Sequence, residues 1–147
     1  MCSSDLAAVA EVEVQRKTGE VRVTRVCVAH DCGQIINPDG LINQIEGGVI
    51  QTVSRTLMEQ VNWTRARVTS VDWATYPIIR FPDTPKVEVV LIDRPSEQPW
   101  GAGEPTPTAI PAAVANAIFD ATGARLRSIP ITPEKVKAAM AEGPARA

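Results

Sequence analysis

Apolar and polar residues alternate with a period of two in AVAEVEV (Ala8 to Val14), and alternation resumes at Val21 in VRVTRVCV. That period marks strands with one face buried, and the intervening QRKTGE, with Gly19, supplies a turn, so the two segments predict a β-hairpin. Val21 and Val23 share one phase while Val26 and Val28 follow the other, which calls for a bulge near Thr24. VTSVDW (68–73) and KVEVVLID (86–93) are further strand candidates, with Pro77, Pro82 and Pro85 breaking the connection between them.

Elsewhere the period is helical. Asn37 is a capping residue, and Pro38 fits a first turn that has no use for its missing N–H. From there to about Gln60, Leu41, Ile42, Ile45, Val49, Val53 and Leu57 form an apolar stripe that predicts a core-facing helix. On its other side Gln44, Gly48 and Gln51 fall at i, i+4 and i+7, with Gly47 beside them. An interior glycine costs a helix about 1 kcal/mol relative to alanine. Two in succession therefore signal the close approach of another body, either a packed helix or a ligand.

A second helix is predicted from a Thr108 cap, with Pro111 at its third position, through Ile110, Val114, Ala117, Ile118 and Ala121 to a stop at Gly123. A third, structural helix starts at TPEK, with Thr132 as cap and Pro133 in the first turn. The element order predicts an α+β fold in one segment, residues 1–147. A hairpin and further strands form a mostly antiparallel sheet, packed by two long helices and a short C-terminal one.

Charge narrows the functional classes. A net charge of -2 and a pI near 5.4 provide no basic field, so nucleic acid is not an expected partner. The longest apolar runs are far short of a membrane span. Met1 to Leu6 lacks the basic and apolar regions of a secretion signal, and localisation stays open. Cysteines at 2, 27 and 32 are an odd number and suggest no disulfide framework. Cys27 and Cys32 have the first spacing of a plant-type iron–sulfur motif, but position 35 is Ile, which removes the next ligand. His30 lies between them at the end of a strand, where side chains alternate between faces. Packed thiols and an ordinary histidine are expected there rather than a metal.

The chemistry concentrates in WGAGEPTPT (100–108). Gly101 and Gly103 let the backbone approach another body closely, and Pro105 fixes the exit of the chain. Glu104 sits just outside the amino end of the second helix, whose partial positive charge favours a carboxylate. From the residues alone it is either a capping or surface acid, or a placed base. Trp100 is either plain packing or a flat wall suited to a planar substrate.

Two strings, AHDCGQIINPDGLINQIEGGVIQ and GAGEPTPTAIPAAVANAIFDATGARLRSIPITPEKV, occur in that order. Together they resemble the C-terminal part of the molybdenum-binding subunit of the xanthine dehydrogenase and aldehyde oxidase family. The likeness is greatest to bacterial isoquinoline 1-oxidoreductase-like and aldehyde dehydrogenase large subunits, and runs from about Ala8 to Met140.

The resemblance implies that Glu104, in the Gly-x-Gly-Glu-Pro position, is the catalytic base, while Gln44 with Gly47 and Gly48 faces the pterin. Gly101 and Gly103 would leave room for cofactor and substrate. The implied cofactor is molybdopterin with molybdenum, in bacteria often the cytosine dinucleotide form, and no metal ligand is assigned to this chain. Implied partners are the rest of the molybdenum subunit, a small subunit with 2Fe-2S clusters, and an aldehyde or N-heterocycle substrate. Because the family's large subunits are several times longer, the chain is expected to be a fragment that is inactive alone. Two other classes stay in view: an assembly or interaction module that keeps the fold without chemistry, and an unrelated domain binding another ligand at its glycine-rich helix. The enzyme reading requires Gln44 and Glu104 to face one concave space.

Overall fold

The computed structural model describes residues 5–143, so Cys2 and the tail beyond 143 lie outside the described residues. Strand β1 (Asp5–Val14) and strand β2 (Val21–Asp31) form the expected antiparallel hairpin. Glu11 faces Arg25 and Val12 faces Val23, leaving Thr24 as the extra residue, so the bulge stands where the change of phase predicts. Its effect is to turn both Val23 and Val26 into the core, a separation that an unbroken strand would send to opposite faces. Gly19 closes the turn at φ 84°, and a Cβ there would stand 2.1 Å from the Pro133 carbonyl oxygen. The turn is thus docked against the start of the last helix.

Helix α1 (Pro38–Leu57) is capped by Asn37, whose side chain accepts from the Gly40 N–H at 2.9 Å. Ile45, Val49 and Val53 are fully buried, as the apolar stripe predicts. Strand β3 (Lys86–Ile92) then joins the free edge of β2 in parallel, giving a three-stranded sheet of order β1-β2-β3. The fold is α+β, and its sheet is mixed, with one antiparallel and one parallel pair, where alternation alone suggested mostly antiparallel pairing. The parallel register follows from the crossover, since α1 carries the chain back along the sheet before β3 begins.

Residues 68–73 are not a strand, and only an isolated bridge joins Trp63 to Val68. Asp72 ends any extension, because its carboxylate accepts from the N–H groups of Ala74 (3.1 Å) and Thr75 (2.9 Å) and folds the chain into a local turn.

Helix α2 (Pro105–Thr122) starts one turn earlier than a Thr108 cap would allow. Pro105 and Pro107 both fall in the first turn, where no N–H is needed, and the Thr108 hydroxyl donates to the Pro105 carbonyl at 2.6 Å instead of capping. Pro111 consequently lies inside the helix rather than at its third position. Gly123 stops α2 in the left-handed region, at φ 76°, and Thr132 caps α3 (Pro133–Ala141) as predicted. α2 lies chiefly on β1, and α1 lies on α2 and the sheet. Ile110, Val114 and Ile118 meet Ile45, Val49, Val53, Val26 and Val28 in one core. Among the described residues, no helix is long and apolar enough to cross a membrane.

Candidate active site

Parallel pairing brings the chemistry together. Asp31 and Ile92 are register partners, so β2 and β3 release their chains from the same end of the sheet. One chain passes through residues 32–37 into α1, and the other through 93–104 into α2.

Glu104 occupies the N-cap position of α2, with φ -85° and ψ -29°, and its side chain makes no capping hydrogen bond. The local sequence explains this. A cap oxygen accepts from the N–H of the second or third helical residue; Pro107 at the third position has none, which leaves only Thr106, and Glu104 lies in the helical region rather than the extended one that capping residues adopt. The carboxylate is exposed and makes no hydrogen bond or ion pair within the described residues.

The amide-and-glycine face of α1 divides into two. Gly48 is buried, and a Cβ there would stand 3.2 Å from Thr106 Cβ and 3.3 Å from its Cγ2. Gly48 therefore serves the crossing of α1 with the first turn of α2. Gly47 is exposed, and a Cβ added there would meet nothing within 4 Å. Gln44, one turn before Gly48, is also exposed. Gln51 instead accepts a hydrogen bond from Arg55 on its own helix. Because Thr106 follows Glu104 by two residues, the Gly48–Thr106 contact brings the α1 face and the Glu104 turn together across the gap in sequence.

Gly101 and Gly103 likewise have nothing within 4 Å of an added Cβ, and neither has a positive φ. Nothing in the described chain requires glycine at 47, 101 or 103. Trp100 is partly buried, donates its N–H to the Cys32 carbonyl at 2.8 Å, and lines a cavity of about 160 Å³ with Cys32, Ile36 and Leu41. A larger groove of about 550 Å³ lies at the hairpin-turn end of the sheet, between Val14, Val21, Leu57 and Ile79, and includes neither Gln44 nor Glu104. Gln44 and Glu104 are both exposed, and neither lines this groove or the Trp100 cavity, so neither of those two hollows is the one concave space that the enzyme reading requires them to face.

His30 and Cys27 lie on opposite faces of β2, as alternation predicts. His30 is wholly buried with both ring nitrogens unpartnered, while the Cys27 thiol is half-buried and lies 3.5 Å from a Glu88 carboxylate oxygen. Among the described residues, no group of three or more His, Cys, Asp or Glu is arranged to hold a metal ion. Sequence reasoning passed over Asp31 and Arg94, which tie the two site loops together through an ion pair at 2.7 Å. A signal was present in Asp31-Cys-Gly33, an acid two residues before a glycine at the end of a strand.

Residues 3–85 match the molybdopterin cofactor-binding domain. The chain belongs to that family. It is 51% identical over 134 residues to a nicotinate dehydrogenase subunit of Pseudomonas putida, an alignment covering 91% of this chain and 11% of that protein. It is 33% identical to the beta subunit of isoquinoline 1-oxidoreductase from Brevundimonas diminuta, over 89% of this chain and 17% of that one. The crystal structure of the aldehyde oxidoreductase from Desulfovibrio desulfuricans superposes with a TM-score of 0.83 at 30% identity, covering 93% of this chain and 15% of that chain. The chain thus spans between about a tenth and a fifth of the length of these relatives.

The residues present fit a molybdopterin-binding domain. An exposed amide at Gln44 supplies two donors and one acceptor carbonyl for a polar ring system. The open glycines at 47, 101 and 103, unexplained within the chain, permit a bound group to reach the backbone. Glu104 stays available because nothing nearby engages it.

Proposed function

We propose that this chain is the C-terminal part of a molybdenum hydroxylase subunit that oxidises an aldehyde or N-heterocycle with water as the oxygen source, Glu104 acting as general base. The observation that carries this reading is the unengaged carboxylate at the start of α2, held beside the exposed face of α1 by the Gly48–Thr106 contact. The cofactor is molybdopterin with molybdenum, and the electrons leave through 2Fe-2S clusters of a partner small subunit. The remaining walls of the site come from the rest of the molybdenum subunit, in keeping with the small share of its relatives that this chain spans.

Bound molybdenum supplies Lewis acidity and a two-electron acceptor. Glu104 removes a proton from the water-derived nucleophile at one of its carboxylate oxygens, which no bond within the chain engages. Gln44 orients the pterin by hydrogen bonding, while Gly47, Gly101 and Gly103 keep the surface low enough for contact. Identity to a nicotinate dehydrogenase makes nicotinate the first substrate to try, with benzaldehyde as the aldehyde arm.

The test is Glu104→Gln in the complete enzyme, assayed with both substrates and a dye acceptor. Turnover is expected to fall by about 10²–10⁴ with molybdenum content unchanged. Turnover within twofold of the parent would overturn the assignment.

A further inference from the structure

Glu104 is placed without being gripped. Its side chain makes no internal bond, and while α2 fixes the chain after it, two glycines precede it within three residues, so on that side its position depends on what holds the loop ahead of them. We propose that Asp31, Gly33 and Arg94 form a clasp that sets where the Glu104 turn stands over α1, with Asp31 and Arg94 as positioning residues for the base. This inference rests on the reading of Glu104 as the base.

The clasp joins the two loops that leave the shared end of the sheet. Arg94 Nε lies 2.7 Å from Asp31 Oδ2 and 3.0 Å from Oδ1, and Oδ1 also accepts from the Gly33 N–H at 3.0 Å. The backbone repeats the link in both directions. The Arg94 N–H donates to the Gly33 carbonyl at 3.1 Å, the Trp100 N–H donates to the Cys32 carbonyl at 2.8 Å, and the Ile35 N–H donates to the Asp93 carboxylate at 3.1 Å.

Gly33 has φ 77°, and a Cβ there would stand 2.2 Å from the Gln98 carbonyl oxygen, so the loops touch at backbone distance. The Asp31 side chain is only 14% exposed, against 41% for Arg94, which shields the pair in part from water. The Gly33 N–H, and then the Arg94 guanidinium, hold the Asp31 carboxyl below the usual carboxylate range, so the clasp is charged at neutral pH.

The clasp determines how far Glu104 can stray. Its last bond is at Trp100, and the four residues onward to Glu104 reach at most about 14 Å when fully extended. The next anchor, Thr106 against Gly48, follows two residues later. Glu104 is thereby suspended between two fixed points, one on the 32–35 loop that feeds α1 and one on α1 itself. Removing the Asp31–Arg94 pair leaves that first point resting on the backbone bonds of Arg94 and Trp100 and the Ile35–Asp93 bond alone, which loosens the loop ahead of Gly101 and Gly103, and misplacement of the base by about 1 Å is enough to cost a rate factor near 10².

The experiment uses the complete enzyme carrying Arg94→Met, Arg94→Lys or Asp31→Asn, with Glu104→Gln alongside. It measures kcat and KM for nicotinate, molybdenum content, and hydrogen exchange by peptide. Arg94→Met is expected to speed exchange in 93–104 while α2 beyond Ile110 stays protected, to lower kcat about 10- to 100-fold, and to leave KM and molybdenum within twofold. Arg94→Lys recovers part of kcat, since it keeps the charge and loses the guanidinium geometry.

Faster exchange in 93–104 with unchanged kcat, while Glu104→Gln is inactive, overturns the clasp and spares the base. An active Glu104→Gln enzyme overturns both. Exchange rising throughout the domain, or lost molybdenum, in Asp31→Asn as well as Arg94→Met reduces these residues to structural supports and also overturns the proposal.

Discussion

Gly48 in α1 makes room for Thr106 in α2: a Cβ on the glycine would stand 3.2 Å from the Cβ of the threonine, tighter than side chains usually tolerate. Its neighbour Gly47 meets nothing within 4 Å. Adjacent glycines on one helix therefore have different causes, and substitution separates them. Gly47→Ala is expected to stabilise the domain by up to about 1 kcal/mol through helix propensity. Gly48→Leu overpacks the crossing and is expected to cost about 1–3 kcal/mol. Urea midpoints check both, and equal shifts for the two variants would refute the distinction.

In the complete enzyme Gly47→Ala should reverse its benefit. If the open face of α1 lies against the cofactor, the added methyl stabilises the protein yet reduces bound molybdenum. Metal analysis and a pterin assay on the purified variant read this, and full loading would show that Gly47 faces no cofactor.

His30 sits on the inner face of β2, opposite Leu6 on one side and Leu91 on the other, with neither nitrogen bonded. Burial holds its pKa below the ordinary 6.5. The folded chain therefore refuses a proton that the unfolded chain accepts, so stability falls as pH drops below about 6.5. His30→Leu should remove that component of the slope and be the more stable protein at pH 5, by about 1–3 kcal/mol for relief of unpaired buried polar atoms. Denaturation midpoints at pH 5 and 7.5 decide it, with parallel pH profiles as the contrary result.

Arg25 links Glu88 (2.6 Å) and Glu11 (2.7 Å) on the outer face of the sheet, and Lys86 adds a third contact to Glu88 at 2.7 Å. Arg25 first, then Lys86, holds the Glu88 carboxyl at about 2. A depressed carboxylate stabilises the fold above its unfolded pKa, and this contribution is lost as pH falls from about 4.5 to about 2. All four side chains are more than a third exposed, so solvent screens the network. Arg25→Met should flatten the acid side of the stability curve, and molar salt should shrink the difference from the parent. A difference indifferent to both acid and salt would mean that packing, not charge, is what Arg25 supplies.

What the sequence made legible were features governed by near neighbours. The Thr24 bulge, the Asn37 and Thr132 caps and the Gly123 stop all follow from residues within one turn of themselves. The start of α2 was misread because Thr108 is a good cap, whereas the prolines before it at 105 and 107 are equally at home in a first turn and removed the need for one there. Val68, Val71 and Trp73 have strand-forming side chains, but Asp72 bends the backbone locally and no sheet edge receives them. The direction of β3 depends on the whole crossover and has no local signature. At the site, type and spacing left Glu104 and Gln44 open between plain structural roles and chemistry, and only the family resemblance singled them out, whereas the Gly48–Thr106 and Asp31–Arg94 contacts join residues about sixty positions apart and become visible only in three dimensions.

The parallel register of β2 and β3 has one more effect. Since the two loops are joined at one end of the sheet and again at the helix crossing, the stretch from Val61 to Ser70 sets no distance between Gln44 and Glu104. A longer insertion there should therefore leave the spacing of these two side chains as it is, since both are tethered by contacts that bypass it.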